Sequence, residues 1–229
     1  MKISLLRTCA VSIAIAASPV AAQDFTGAYI GLGLGGAGFT TPESETGSPY
    51  ATSTTRATSI IATLQGGYNM AAGNVIYGAD LTGMFGNLSG QSRSASIAGL
   101  GATFDAVRET SLKSLVMLNG KVGTVSGNTL FYGTAGVAAG RVTKQFTAFN
   151  PAGSNTVFGG GDGYYSKTQV GFNVGVGMEW KMTENVSLAA EARYYDLGRK
   201  TMTYSPALSP SVTHIKGGVV SFKVNYWLK

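Results

Sequence analysis

Residues 169–181 read Gln169-Val170-Gly171-Phe172-Asn173-Val174-Gly175-Val176-Gly177-Met178-Glu179-Trp180-Lys181. Every second side chain is apolar, and each residue between is small or polar. A strict period of two assigns one set to each face of a β-strand. A soluble sandwich could carry the same alternation, so the choice rests on what surrounds the stretch.

Seven other segments repeat the pattern: 27–36, 59–69, 75–82, 112–124, 130–142, 186–195 and 217–228. In the second, Ile60, Ala62, Leu64 and Tyr68 share a face opposite Thr63, Gln65 and Asn69. The third sets Val75, Tyr77, Ala79 and Leu81 against Asp80, and the fourth sets Leu112, Val116, Leu118 and Val122 against Lys113, Asn119 and Lys121. Segment 130–142 is too rich in Ala and Gly for its faces to be assigned. The spacers alternate in length. Three are tight turns carrying Gly or Asn (70–74, 125–128, 183–185), and four are long and rich in Ser, Thr, Gly, Asn and Pro (39–58, 83–111, 143–166, 198–216). Three short turns and four long loops suit an all-β, eight-stranded antiparallel transmembrane β-barrel, an up-and-down meander with its turns on the periplasmic side. Free strand edges cannot be satisfied in hydrocarbon, so the first and eighth strands must pair.

The N-terminus reads as an export signal. Lys2 and Arg7 precede a short apolar core at 10–17, and Pro19-Val20-Ala21-Ala22 offers a small-residue cleavage site. The expected organisation is a cleaved signal peptide at 1–22 and an outer-membrane barrel domain at 23–229. The single cysteine, Cys9, falls inside that signal, so the mature chain is expected to have no disulfide, zinc-thiolate site or cysteine nucleophile. Cleavage lowers the formal charge from +6 to +4, and no Lys/Arg run points to nucleic acid. Charged residues make up 12% of the chain, against about 25% for soluble domains.

The even-numbered and odd-numbered faces give candidate sites. Asp80, Lys121, Glu179, Glu191, Arg193 and Lys223 face the lumen together with Lys113 and Lys181. The first six are expected to form a charge network, since eight strands leave a lumen that side chains fill and buried charges must be paired. Aromatic residues near strand ends are expected at the membrane interfaces: Tyr68, Tyr77, Trp180, Tyr194, Tyr226 and Trp227, with Phe131 and Tyr132 as further candidates. Gly31-Leu32-Gly33-Leu34-Gly35-Gly36 matches a dinucleotide fingerprint, but no helix start follows it, so it reads as the inward glycines of a strand. Gly159-Gly160-Gly161-Asp162-Gly163 lacks the repeated carboxylates of a calcium turn. His214, the only histidine, is the first candidate for a haem ligand, although a lone histidine is more commonly structural. No catalytic constellation, metal site or cofactor is expected.

Several motifs in a fixed order carry a family resemblance. They are Phe25-Thr26-Gly27-Ala28-Tyr29-Ile30-Gly31, Gln65-Gly66-Gly67-Tyr68-Asn69, Val75-Ile76-Tyr77-Gly78-Ala79-Asp80, Leu130-Phe131-Tyr132-Gly133-Thr134-Ala135-Gly136-Val137 and Gly175-Val176-Gly177-Met178-Glu179-Trp180. The Thr183-Glu184-Asn185 turn and Glu191-Ala192-Arg193-Tyr194 follow them. The chain resembles the outer-membrane beta-barrel domain family, and within it the small porin-like surface proteins of alphaproteobacteria, related in fold to opacity proteins. It departs from the pattern at Phe25, where the family has Trp, and at its end, Tyr226-Trp227-Leu228-Lys229, where such barrels usually end in Phe.

The resemblance implies an integral outer-membrane protein that supports envelope integrity and displays surface loops. The implied partners are outer-membrane lipid and lipopolysaccharide, the barrel-assembly machinery, and a host or haemin ligand at the loops. A narrow porin or a haemin-binding uptake component is the alternative, and a lipid-modifying enzyme is the least favoured reading.

Overall fold

The computed structural model describes residues 24–45, 52–99, 102–149, 164–202 and 211–228. Eight strands follow in order: β1 (Gly27–Glu45), β2 (Thr52–Ala72), β3 (Val75–Gly99), β4 (Ala102–Ser126), β5 (Thr129–Phe149), β6 (Tyr164–Lys181), β7 (Val186–Met202) and β8 (Ser211–Leu228). Each pairs antiparallel with its neighbours, and β1 pairs with β8 to close the barrel. Every seam is paired along the apolar band, as a lipid environment requires. The expected signal peptide lies outside the described residues.

Alternation in the sequence becomes two surfaces. Ile30, Leu32, Leu34, Leu64, Leu81, Leu118, Val176, Phe222 and Val224 stand exposed on the outside, forming an apolar band. Tyr68, Tyr77, Phe131, Trp180 and Tyr226 are exposed toward its periplasmic edge, and Phe85, Phe172 and Tyr194 toward its outer edge. Tight turns lie on the periplasmic side, where Gly73 and Gly127 take positive φ (61° and 57°) in two-residue connections.

Four sequence expectations need correction. Strand extends into every long spacer and takes up nearly all of 83–111, where β3 and β4 stay paired from Phe85↔Ser114 up to Gly99↔Ala102. About 9–11 residues cross a membrane, so strands of 17–25 residues extend well past it. Hydrophobic alternation stops where lipid stops, whereas backbone pairing continues in water, and this is why the pattern underestimates strand length. The outer connections shrink to 46–51, 100–101, 150–163 and 203–210, which lie outside the described residues together with the Gly159-to-Gly163 motif.

Second, Lys113 is exposed on the outside, and Leu112 is fully buried in the lumen. A β-bulge causes the exchange: pairing on both sides of β4 passes from Leu112 to Ser114 and skips Lys113. One extra residue in a strand reverses the facing of everything beyond it.

Third, Trp227 is not an interface aromatic. It is completely buried at the periplasmic mouth of the lumen. Fourth, Tyr132 also points inward, on the same face of β5 as Leu130, Thr134 and Ala138. The faces of this strand, ambiguous in sequence, are now assigned, with Phe131 and Val137 outward.

Candidate functional site

The lumen is layered. At the periplasmic end Phe25, Tyr29, Ile76, Val125, Leu130, Tyr132 and Trp227 form an apolar cluster. Toward the outside a larger cluster gathers Phe39, Ile61, Met84, Leu88, Leu112, Leu115, Tyr195, Leu197 and Ile215 among others. A buried polar layer occupies the space between them. The layers follow from residue choice at inward positions alone, two residues apart along each strand.

Arg193 on β7 is the centre of the polar layer. Its Nη2 donates to Asp80 Oδ1 at 3.1 Å and to Glu191 Oε2 at 3.0 Å, while its Nε donates to Glu191 Oε1. Asp80 also accepts from Thr82 Oγ1 (2.8 Å) and Asn119 Nδ2 (2.9 Å). Glu191 further accepts from Lys223 Nζ (2.9 Å) and Tyr132 Oη (3.0 Å). Lys223 Nζ donates to Gln65 Oε1 (2.7 Å), Gln65 Nε2 to Asn225 Oδ1 (2.7 Å), and Asn225 Nδ2 to Glu179 Oε1 (2.8 Å). Ser187 Oγ donates to Glu179 and accepts from Trp227 Nε1 at 2.8 Å. One continuous hydrogen-bonded chain therefore joins β2, β3, β4, β5, β6, β7 and β8.

Of the six expected network residues, Asp80, Glu191, Arg193 and Lys223 come together as ion pairs. Glu179 joins them through the neutral donors Ser187 and Asn225. Lys121 sits in an aromatic cage: its Nζ donates to Tyr29 Oη at 2.6 Å and lies 4.6 and 4.7 Å from the ring centroids of Tyr29 and Tyr132. Lys181 is placed likewise over Trp227, 4.2 Å from the ring centroid. Trp227 in turn packs on Tyr29 at 4.9 Å and edge-on to Phe25 at 6.2 Å.

The sequence reading set Gln65, Asn119, Ser187 and Asn225 on inward faces without joining them to the charge network, and it did not identify Tyr29 and Tyr132 as a cage for Lys121. Strand parity was the available signal for the cage, because Tyr29 shares a face with Gly31 and Tyr132 with Thr134. The inward glycines of β1 are explained here. A Cβ on Gly33 would sit 2.6 Å from Thr63 Oγ1 and 2.7 Å from Lys223 Cγ, where the polar layer crosses the lumen.

His214, the candidate haem ligand, stands outward on β8 above the apolar band. Its Nε2 lies 2.8 and 2.9 Å from the two carboxylate oxygens of Asp196. Burial raises the Asp196 carboxyl, but the Gly198 N–H, His214 and Lys216 outweigh it and hold the group below the ordinary carboxylate range. Among the described residues no group of three His, Cys, Asp or Glu could hold a metal.

Residues 8–226 match the family model described as outer membrane protein beta-barrel domain. The chain belongs to this family. It is 27% identical over 195 residues to the 31 kDa outer-membrane immunogenic protein of Brucella melitensis, covering 81% of this chain and 77% of the relative, and it has the same identity and coverage to the Brucella suis protein. Among solved structures it is similar to outer membrane protein OprG from Pseudomonas aeruginosa (15% identity, 89% of this chain and 97% of that chain, TM-score 0.47). It is also similar to Neisserial surface protein A (15% identity, 89% and 98%, TM-score 0.41). The family member described here is a closed β-barrel of the bacterial outer membrane.

Proposed function

We propose that the protein is a non-conducting structural component of the outer membrane. Its barrel anchors it, and its outer strands and connections meet the exterior. The observation that carries this reading is the filled lumen, in which an ion-paired layer is enclosed between two apolar clusters. An ion crossing the barrel would have to shed water at both clusters and break charge pairs between them, each step being costly. The same enclosure argues for a non-enzymatic role, since the lumen carboxylates are held by Arg193, Lys223, Ser187 and Asn225 and enclosed between the two apolar clusters. The resemblance to an outer-membrane immunogenic protein supports an exposed outer face.

The deciding experiment is conductance of the refolded protein in a planar bilayer, with heat-modifiable gel mobility confirming the folded barrel. A folded and silent protein is expected, together with detergent sensitivity in cells lacking it. Stable conductance steps absent from a denatured control would overturn the reading in favour of a narrow pore.

A further inference from the structure

The lipid-facing wall is not uniform. On the outward faces of β7, β8 and β1 the large apolar residues give way to Gly36, Gly218 and Ala192. A depression of about 480 Å³ opens there, flanked by Val176, Tyr194 and Val220. One outward row nearer the periplasm a second depression of about 690 Å³ continues along the same face, between Leu34, Phe222, Ala190 and Met178. Together they make a trough running down the wall.

Neither glycine is demanded by the barrel. A Cβ on Gly36 would meet nothing within 4 Å, and one on Gly218 would meet only the Arg193 carbonyl at 3.6 Å, an ordinary contact. Neither has a positive φ. Inward Gly33 presents the opposite case, since packing forbids a side chain there. Glycine weakens a strand interior, so two outward glycines with open space above them leave the trough itself as what they provide.

A positively charged row crowns the trough. Arg56 pairs with Thr40, and Thr40 with Lys216, which sets the two cations on either side of β1, roughly 10 Å apart at two strand spacings. Both are exposed, immediately above the apolar band. Arg199 is exposed on the next pairing up, beside His214. The neighbouring carboxylate, Asp196, lies opposite Lys216 in the register and partly offsets its charge, while also meeting His214 and the Gly198 N–H. On the periplasmic side the exposed charges Asp24 and Glu184 are acidic.

We propose that this face binds one phosphorylated, acylated lipid of the outer leaflet, with its phosphate between Arg56 and Lys216 and an acyl chain along the trough at Gly36 and Gly218. Positive charge at one end and an open apolar channel at the other each suit one half of such a molecule, whether or not the lumen conducts.

Native mass spectrometry of the full mature barrel in detergent tests this, with a hexa-acylated, bisphosphorylated diglucosamine lipid as the probe. Its dephosphorylated form, phosphatidylglycerol and inorganic phosphate serve as comparators. One tightly retained probe molecule is expected on the native protein. R56Q/K216Q and, separately, G36L/G218L should each weaken it about tenfold or more. K113Q/R141Q, which removes the same charge on another part of the rim, should leave it unchanged.

Equal loss in K113Q/R141Q would overturn the proposal in favour of diffuse charge attraction. Retention of the dephosphorylated lipid, or equally tight binding of inorganic phosphate alone, would overturn it as well. A change of oligomeric state in G36L/G218L with lipid binding intact would assign the trough to a second copy. Heat-modifiable mobility shows that each variant folds, and the open space at Gly36 makes the leucine compatible with the wall.

Discussion

Arg193 on β7 reaches across the lumen to Asp80 on β3, four strands away around the barrel, with 3.1 Å between Nη2 and Oδ1 and both side chains almost fully buried. The bond spans opposite walls, so it resists any flattening of the barrel. Replacing Arg193 by Met leaves Asp80 and Glu191 enclosed without their shared cation, and a cost of about 3–5 kcal/mol is expected. Adding Asp80→Asn and Glu191→Gln to the same chain should recover much of the loss, because the unpaired charges are then gone. Urea unfolding of the refolded barrel in detergent measures both.

The two tryptophans report on opposite faces of the wall. Trp180 is half exposed on the outside, whereas Trp227 is sealed inside against Tyr29 and Phe25. In lipid bilayers containing brominated acyl chains, fluorescence of a Trp227→Phe variant, which retains Trp180, should be strongly quenched. A Trp180→Phe variant, which retains Trp227, should be quenched little. Trp227→Ala should destabilise the barrel by about 3–5 kcal/mol through the cavity it leaves.

The bulge at Lys113 gives a labelling test. Cys9 is the only natural cysteine and falls in the expected signal, so introduced thiols report alone. Lys113→Cys should react with a membrane-impermeant maleimide added to intact cells, and Leu112→Cys should not. Reversed reactivities would restore the facing that unbroken alternation predicts.

Asp196 sets a pH dependence on the outer rim. Its carboxyl is held below its unfolded value, so its stabilising contribution is present above about pH 4, the ordinary carboxylate value. The contribution is lost only as pH falls through the lowered folded value. Carbon-13 titration of the Asp196 carboxyl in nanodiscs should give a midpoint below the ordinary carboxylate value, rising toward it in a His214→Leu variant, which removes the imidazole partner.

Strand number, order and most facing were readable because lipid imposes a strict alternation on each crossing segment, as at 169–181. The residues that defeated that reading did so for separate physical reasons. Lys113 and Leu112 lie at a bulge, which leaves no mark in a hydrophobicity pattern. Trp227 and Tyr132 are aromatic residues near strand ends, where type suggests an interface and only parity shows the interior. Strand ends above the membrane were missed because water places no demand on side-chain alternation there. For the lumen, sequence supplied the charged residues and their shared face. It could not tell that Lys121 meets two tyrosine rings, since cross-lumen contacts depend on barrel stagger.

The hydrogen-bonded chain through the lumen has a bearing on biogenesis. Lys223 and Asn225 belong to β8, the last strand to be synthesised, and they hold Glu191, Gln65 and Glu179. Until that strand closes the wall, Glu191 holds Arg193 but lacks Lys223, and Glu179 lacks Asn225. Closure of the seam and concealment of the barrel's own charge are therefore completed by the same strand.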